Sequence, residues 1–264
     1  MRKLWIAASC MVSIQLAQAQ QKAGTVTYER VSQMRARFNI NGVENEVPRT
    51  QKGNFELTFG NNQSLWKAAE QENPQEQSEG GDGMQIRMIV AGANDVVYNN
   101  FVTGNKVEKR ELFDKIFIVD DSVRALKWKM TGETKSILNF NCMKATATNI
   151  SKRTQMTMND GKIVRKEMED TSNIVAWFTM NIPVAAGPGE YQGQLPGLIL
   201  ELNIKDGTQT YVATGISEKA DLASIKAPVG KKHYTPEEFK KEREKMMKEM
   251  QQNAQGGRMQ IRMN

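Results

Sequence analysis

Few residues in this 264-residue chain are equipped for chemistry, and they are quickly counted. There is one histidine, His233, and there are two cysteines, Cys10 and Cys142. A zinc site built on several histidines is therefore excluded, and a Ser-His-Asp triad would have to use His233. A Cys142–His233 dyad is arithmetically possible, but neither residue has a neighbour in sequence that would orient it. The chain contains no G-x-S-x-G, no phosphate-binding lysine loop, no H-E-x-x-H, no C-x-x-C and no EF-hand loop. Asp and Glu total 30, so composition permits a carboxylate mechanism, and spacing alone cannot reveal such a pair. The chain reads as a non-enzyme that needs no cofactor.

Methionine offers a different chemistry. Sixteen are present, including Met156 and Met158 as an M-x-M pair, and Met84/Met88 and Met259/Met263 as M-x-x-x-M pairs. Thioethers are soft ligands that suit monovalent copper, and in a strand Met156 and Met158 share a face, as a ligand pair must. Methionine also fills irregular gaps in a core or lines an adaptable apolar surface. The pentapeptide Met-Gln-Ile-Arg-Met occurs twice, at 84–88 and 259–263, each shortly after a glycine pair. If extended, the second copy is a candidate strand for addition to a sheet edge.

The N-terminus carries an address. Arg2 and Lys3 precede an apolar run from Leu4 to Ile14, and Ala17-Gln18-Ala19 supplies the small residues of a cleavage site. The expectation is a signal peptide over 1–19, cleavage after Ala19, and a periplasmic or secreted destination. The apolar run is too short to span a bilayer, and no later stretch approaches about 20 apolar residues. Removing the signal takes Cys10 with it and leaves Cys142 alone, so no internal disulfide forms. Lys and Arg number 36 against 30 Asp and Glu; without Arg2 and Lys3 the balance is 34 to 30, too mild for a nucleic-acid partner.

Strand periodicity dominates the rest. Met34, Ala36, Phe38 and Ile40 alternate with polar residues, as do Phe55, Leu57 and Phe59, then Leu126, Trp128 and Met130, then Leu198, Leu200, Leu202 and Ile204. Asp160-Gly161 and Asp206-Gly207 each stand between two such runs and mark hairpins, since both turn positions take positive φ. Residues 67–83, rich in Glu, Gln, Asn and Gly, read as a flexible acidic loop. Thr235-Pro236-Glu237-Glu238 is a capping box with proline at the first helical position, starting a helix expected to run to about Met250. Two units follow, a β-rich domain over 20–230 and a helix with its tail over 231–264. The expected fold is mainly β: a bent antiparallel sheet or half-open β-barrel with a C-terminal helix.

The central segment carries a resemblance. Lys135-Ser136-Ile137-Leu138-Asn139-Phe140-Asn141-Cys142-Met143-Lys144-Ala145-Thr146 is similar to the K-x-I-L-G-Y-x-C-x-K-A-T segment of the GLPGLI family. Ala176-Trp177-Phe178-Thr179, Ile182-Pro183, Gly187-Pro188 and Leu195-Pro196-Gly197-Leu198-Ile199-Leu200 follow in that family's order. Gln194 stands where the family has its first Gly, and Asn139 replaces the Gly before the aromatic. The resemblance implies an exported β-rich protein of Gram-negative bacteria, with no settled activity and no catalytic residue to carry over. Leu195-Pro196-Gly197-Leu198 matches a type II turn, with positive φ expected at Gly197. Cys142 and Trp177 are expected as core pieces beside it.

An uncovered sheet face must curl or find a partner. The functional expectation is accordingly a binding or carrier protein whose apolar groove takes a lipid, a lipoprotein, a peptide or another envelope protein. The alternative is a methionine-assisted copper-handling protein using Met156 and Met158.

Overall fold

Among the described residues, alternation of apolar and polar residues builds twelve strands into one sheet. They are β1 (Gly24–Ile40), β2 (Val43–Gly60), β3 (Gln63–Ala68), β4 (Val96–Asn100), β5 (Asn105–Leu112) and β6 (Lys115–Ser122). Then come β7 (Lys129–Ile137), β8 (Phe140–Asn159), β9 (Lys162–Thr179), β10 (Leu198–Ile204), β11 (Gln209–Ser217) and β12 (His233–Tyr234). Their order across the sheet is β12-β6-β5-β4-β3-β2-β1-β11-β10-β9-β8-β7. Every pairing is antiparallel except that of β12 with β6. The fold is mainly β, as the periodicity indicates, and the sheet stays open instead of closing into a barrel. This computed structural model describes residues 22–40, 43–69, 94–159 and 162–255; over 34–40, 43–49, 152–159, 162–167 and 250–255 it describes the backbone alone. The expected signal peptide, both Met-Gln-Ile-Arg-Met copies and the acidic stretch beyond Ala69 lie outside the described residues. Lys67 and Ala68, assigned to that loop from composition, belong to β3.

Tight turns set the register. Asn61-Asn62, Phe113-Asp114 and Leu138-Asn139 each join two strands with both residues at positive φ, between 48° and 66°. The flanking pairs Gly60↔Gln63, Leu112↔Lys115 and Ile137↔Phe140 are directly opposed, which leaves two-residue connections with the twist a hairpin favours. Asn139 suits its position, because asparagine enters the left-handed region more readily than most residues. At Asp206-Gly207 both residues have positive φ, but Lys205 does as well, and Ile204↔Gln209 encloses a four-residue connection. β8 and β9 pair up to Asn159↔Lys162, flanking Asp160-Gly161, which itself lies outside the described residues.

Two periodic runs resolve differently from the sequence pattern. Residues 123–128 are not strand, so Leu126 and Trp128 precede β7 instead of opening it. In β10 the register shifts between Ile199 and Glu201, so Leu198 and Leu202 do not lie on one face. The bulge turns the segment after Pro196 against its neighbours, and Leu198, Ile199 and Leu200 are all buried.

The C-terminal helix α1 spans Pro236–Gln255, five residues beyond the expected Met250. Its capping box is reciprocal: Thr235 N–H donates to Glu238 Oε2 at 2.8 Å, and Glu238 N–H to Thr235 Oγ1 at 3.2 Å. Phe239 and Met246 pack with Phe117 and Val119 of β6, and Tyr234 of β12 meets the Phe117 ring at 5.3 Å. The helix thus caps one end of the sheet order. No described helix is long and apolar enough to cross a membrane.

Candidate functional site

The motif residues fall into two groups with different jobs. The first is the excursion between β9 and β10, which lies across the inner face of the sheet. Ile182, Ala186, Tyr191 and Leu195 from this excursion share one buried cluster with Val26, Tyr28, Phe55, Leu57, Phe59 and Trp66. Pro183 centres a tight reversal, with Val184 N–H donating to the Ile182 carbonyl at 2.8 Å. Buried Pro188 leads into a 3₁₀ turn at Gly189–Tyr191, with Gly189 at φ 54°. Gly187 has no room for a side chain, since a Cβ there would lie 2.8 Å from Ile199 Cδ1.

Polar contacts pin the excursion to both halves of the sheet. The Ser64 hydroxyl of β3 donates to Gln192 Oε1, and Tyr28 Oη of β1 donates to the Ile199 carbonyl at 2.6 Å. On the other side, Gln194 Oε1 accepts from Leu126 N–H and from Trp128 Nε1, each at 3.1 Å. Gln194 therefore ties the chain before β7 to the motif, while Gly193 at φ 74° takes the left-handed conformation.

Gly197 corrects the turn expected at Leu195-Pro196-Gly197-Leu198. It is not among the residues with positive φ. A Cβ on Gly197 would collide with the Thr179 carbonyl oxygen and stand 2.8 Å from the carbonyl carbon. The glycine is required by close approach of two backbones, not by a left-handed turn. Pro196 beside it is exposed.

The second group lies across β7–β10. Register places Lys144 opposite Trp177 and Trp177 opposite Glu201. Lys135 Nζ sits 4.4 Å from the Trp177 ring centre and 2.7 Å from Glu201 Oε2, while Lys144 Nζ lies 5.8 Å from the ring and 2.9 Å from Glu133 Oε1. Trp177 is half-buried and packs against the core cluster without being enclosed in it, because β9 alternation gives the inner face to Ile174, Ala176 and Phe178. The result is a tryptophan held upright by two ammonium groups, each with its own carboxylate. Lys135 and Glu201 complete the ladder; Glu201 was legible only as a polar residue facing away from the apolar side of its strand.

Cys142 is fully buried, as expected, and opposite Lys135 in register. Burial pushes its thiol up, and the Lys135 charge does not reverse the direction. A thiol held protonated is a poor nucleophile. His233 does not join it: nine strands separate β12 from β8, and His233 Nδ1 is 2.8 Å from Asp120 Oδ2. Met156 and Met158 stand two apart in β8, opposite Arg165 and Ile163, and their side chains lie outside the described residues.

A buried charge cluster on β5 escaped the sequence reading. Glu108 is 3% exposed, and receives Arg110 Nε at 2.7 Å and Lys106 Nζ at 2.9 Å. Lys106 also reaches Asp121 at 3.2 Å, and Arg110 reaches Asp95 at 3.4 Å. Burial alone would raise the Glu108 pKa, but the charges and hydrogen bonds of Arg110 and Lys106 together bring it below the usual range. The only signal was three charges at alternate positions, 106, 108 and 110, which put one charged face on a strand that has to pack.

All of the motif residues above fall within residues 128–201, the span matched by a family model described as a protein of unknown function (Porph_ging). No curated protein matches the chain. The solved structure of PNGF-II in the C2 space group aligns with 80% of this chain at 18% identity and a TM-score of 0.43. This chain spans 31% of that one.

Proposed function

We propose that the protein is an exported, non-catalytic binding module of the cell envelope, and that it recognises a peptide or protein partner, such as the protein part of a lipoprotein. The partner engages the face of β7–β10 that carries Lys135, Lys144 and Trp177. The observation that supports this reading is the division of the motif. Its proline and glycine half, Pro183 to Ile199, packs onto the inner apolar face where a groove-bound lipid would otherwise lie. Its other half leaves Trp177 half-buried against the core with Lys135 and Lys144 half-exposed beside its ring, and a partly exposed tryptophan is the residue type most often found as an interface anchor. In the GLPGLI reading, one half of the motif residues then serves the fold on one side of the sheet and the other half the partner on the other. Export itself rests on the residues before Gln20.

The test places a photo-crosslinking residue at Thr146, beside Lys144 on β8, in the protein as expressed in its own cells. The expected result is a discrete adduct with one envelope protein, absent when the same residue is placed at exposed Lys219. Trp177→Ala, with folding checked by circular dichroism, should reduce the adduct about ten-fold or more, the effect of losing a central aromatic anchor. An adduct that survives Trp177→Ala, or the same adduct from both positions, contradicts the proposal. So does stoichiometric lipid in the purified protein.

A further inference from the structure

Two of the hairpins are much longer than the sheet that holds them. β1 loses its β11 neighbour after Ser32↔Gln209, and β2 loses β3 after Phe55↔Ala68, so residues 33–40 and 43–54 continue as a two-stranded ribbon. β9 loses β10 before Ile174↔Ile204, and β8 loses β7 after Thr146↔Lys129, so residues 148–159 and 162–173 form a second. Both ribbons leave the same end of the sheet. Between them sits only the short β10–β11 hairpin, whose turn is bonded to each: Gln33 N–H donates to the Thr208 carbonyl, and Lys205 N–H to the Asn173 carbonyl. At about 3.3 Å per residue the ribbons reach roughly 25 Å and 40 Å beyond that turn, and three strand spacings separate their bases by about 14 Å.

The composition of the distal strands is unlike that of the remaining chain. Residues 35–49 and 153–166 hold seven basic residues, Arg35, Arg37, Arg49, Arg153, Lys162, Arg165 and Lys166, against three acidic ones. Over the whole of 33–54 and 148–173 the balance is nine basic to six acidic residues, so, leaving aside residues 1–19, these segments carry three of the four net positive charges (34 less 30). The same strands place Phe38 and Ile40 at alternate positions of β1, and Met156 and Met158 at alternate positions of β8, the latter opposite Ile163 at the end of the ribbon. Nearer the base, where side chains are described, Ile150 is 65% exposed and Met168 42% exposed.

We propose that these two ribbon ends, juxtaposed at one end of the sheet, dock the protein on an anionic lipid surface. A two-stranded ribbon alone is marginal in water, and one with apolar positions gains from a medium that accepts them. Basic residues flanking apolar ones are what an interface of anionic headgroups over acyl chains selects, with each cation near the surface adding attraction. A protein with acidic surface would satisfy the cations and leave Phe38, Ile40, Met156 and Met158 without a role. The second ribbon continues β8 and β9 beyond the paired Lys144 and Trp177, so its distal residues and the proposed partner face occupy opposite ends of the same two strands.

The experiment is vesicle flotation of the purified protein. Vesicles containing phosphatidylglycerol should carry the protein upward, vesicles of phosphatidylcholine alone should not, and added salt should weaken the association. Replacing four cations together (Arg35→Gln, Arg37→Gln, Arg165→Gln and Lys166→Gln) should lower affinity at least about ten-fold, whereas Lys219→Gln with Lys226→Gln should not. Phe38→Ser with Met156→Ser should weaken binding without changing its salt dependence, which separates a lipid surface from an acidic polymer. Failure to float with anionic vesicles overturns the proposal. So does flotation that the four-cation variant leaves unchanged while its circular dichroism remains native, or equal binding to polyglutamate that both double and quadruple variants treat alike.

Discussion

Gly197→Asn should destabilise the protein by at least about 3 kcal/mol, as much as Gly197→Ala, and Gly207→Asn should cost under about 1 kcal/mol. Asparagine is the discriminating substitution because it tolerates positive φ better than other side chains. Were Gly197 the third residue of a type II turn, asparagine would largely rescue it. At Gly207, where φ is 89° and nothing lies within 4 Å of a Cβ, rescue is the expected outcome. At Gly197 the Cβ meets the Thr179 carbonyl, a backbone group held by pairing of β9 with β10 through Thr179↔Leu198. Neither strand can retreat without giving up that pairing. Chemical denaturation of the three variants checks the prediction, and a mild Gly197→Asn would restore the turn as the reason for the glycine.

Glu108→Gln should cost about 3 kcal/mol near neutral pH and flatten the loss of stability in acid. The substitution keeps the shape of the side chain but leaves Arg110 and Lys106 without their shared carboxylate. The direction of the pH effect follows from the depressed pKa of Glu108 in the folded protein. A carboxyl held more acidic in the folded than in the unfolded state contributes stability above the unfolded value, about 4.3 for glutamate. That contribution disappears as pH falls through the unfolded value towards the lower folded one. Asp121, lowered in spite of its burial by Ser122 N–H and Lys106, adds in the same sense. Urea titrations between pH 7 and pH 3 should therefore show a shallower decline in the variant. Parallel declines would mean that Glu108 is not a source of acid sensitivity.

The fold class was legible because it rests on alternation, and Phe55, Leu57 and Phe59 bury the face their spacing predicts. The helix start was legible because Thr235 and Glu238 satisfy each other's backbone N–H within four residues of chain. What local pattern could not carry is contact made over long sequence separations. Nothing near Gly197 announces Thr179, eighteen positions earlier, as its neighbour. The turns at Phe113 and Leu138 place bulky residues at positive φ, against their own preference, because the paired strands impose it. Trp177 was expected in the core beside the Leu195–Leu198 turn, yet its position in the alternation of β9 already put it opposite to Ala176 and Phe178, and it packs against the core only in part. The ladder around it needed register, since Lys135, Lys144, Trp177 and Glu201 come from four strands.

The account turns on the segment from Ile182 to Ile199 being a permanent part of the inner face and not a lid over a vacant groove. Native-state amide exchange tests this directly. Gly193, Leu198 and Ile199 donate their N–H groups to the carbonyls of Ala185, Ile182 and Ala186 within the excursion. If the segment is core, these amides exchange only through global unfolding, with the same protection and the same denaturant dependence as Phe178 in β9. Exchange orders of magnitude faster than at Phe178, through an opening that leaves the sheet intact, would show a lid and return the inner face to a lipid-sized guest.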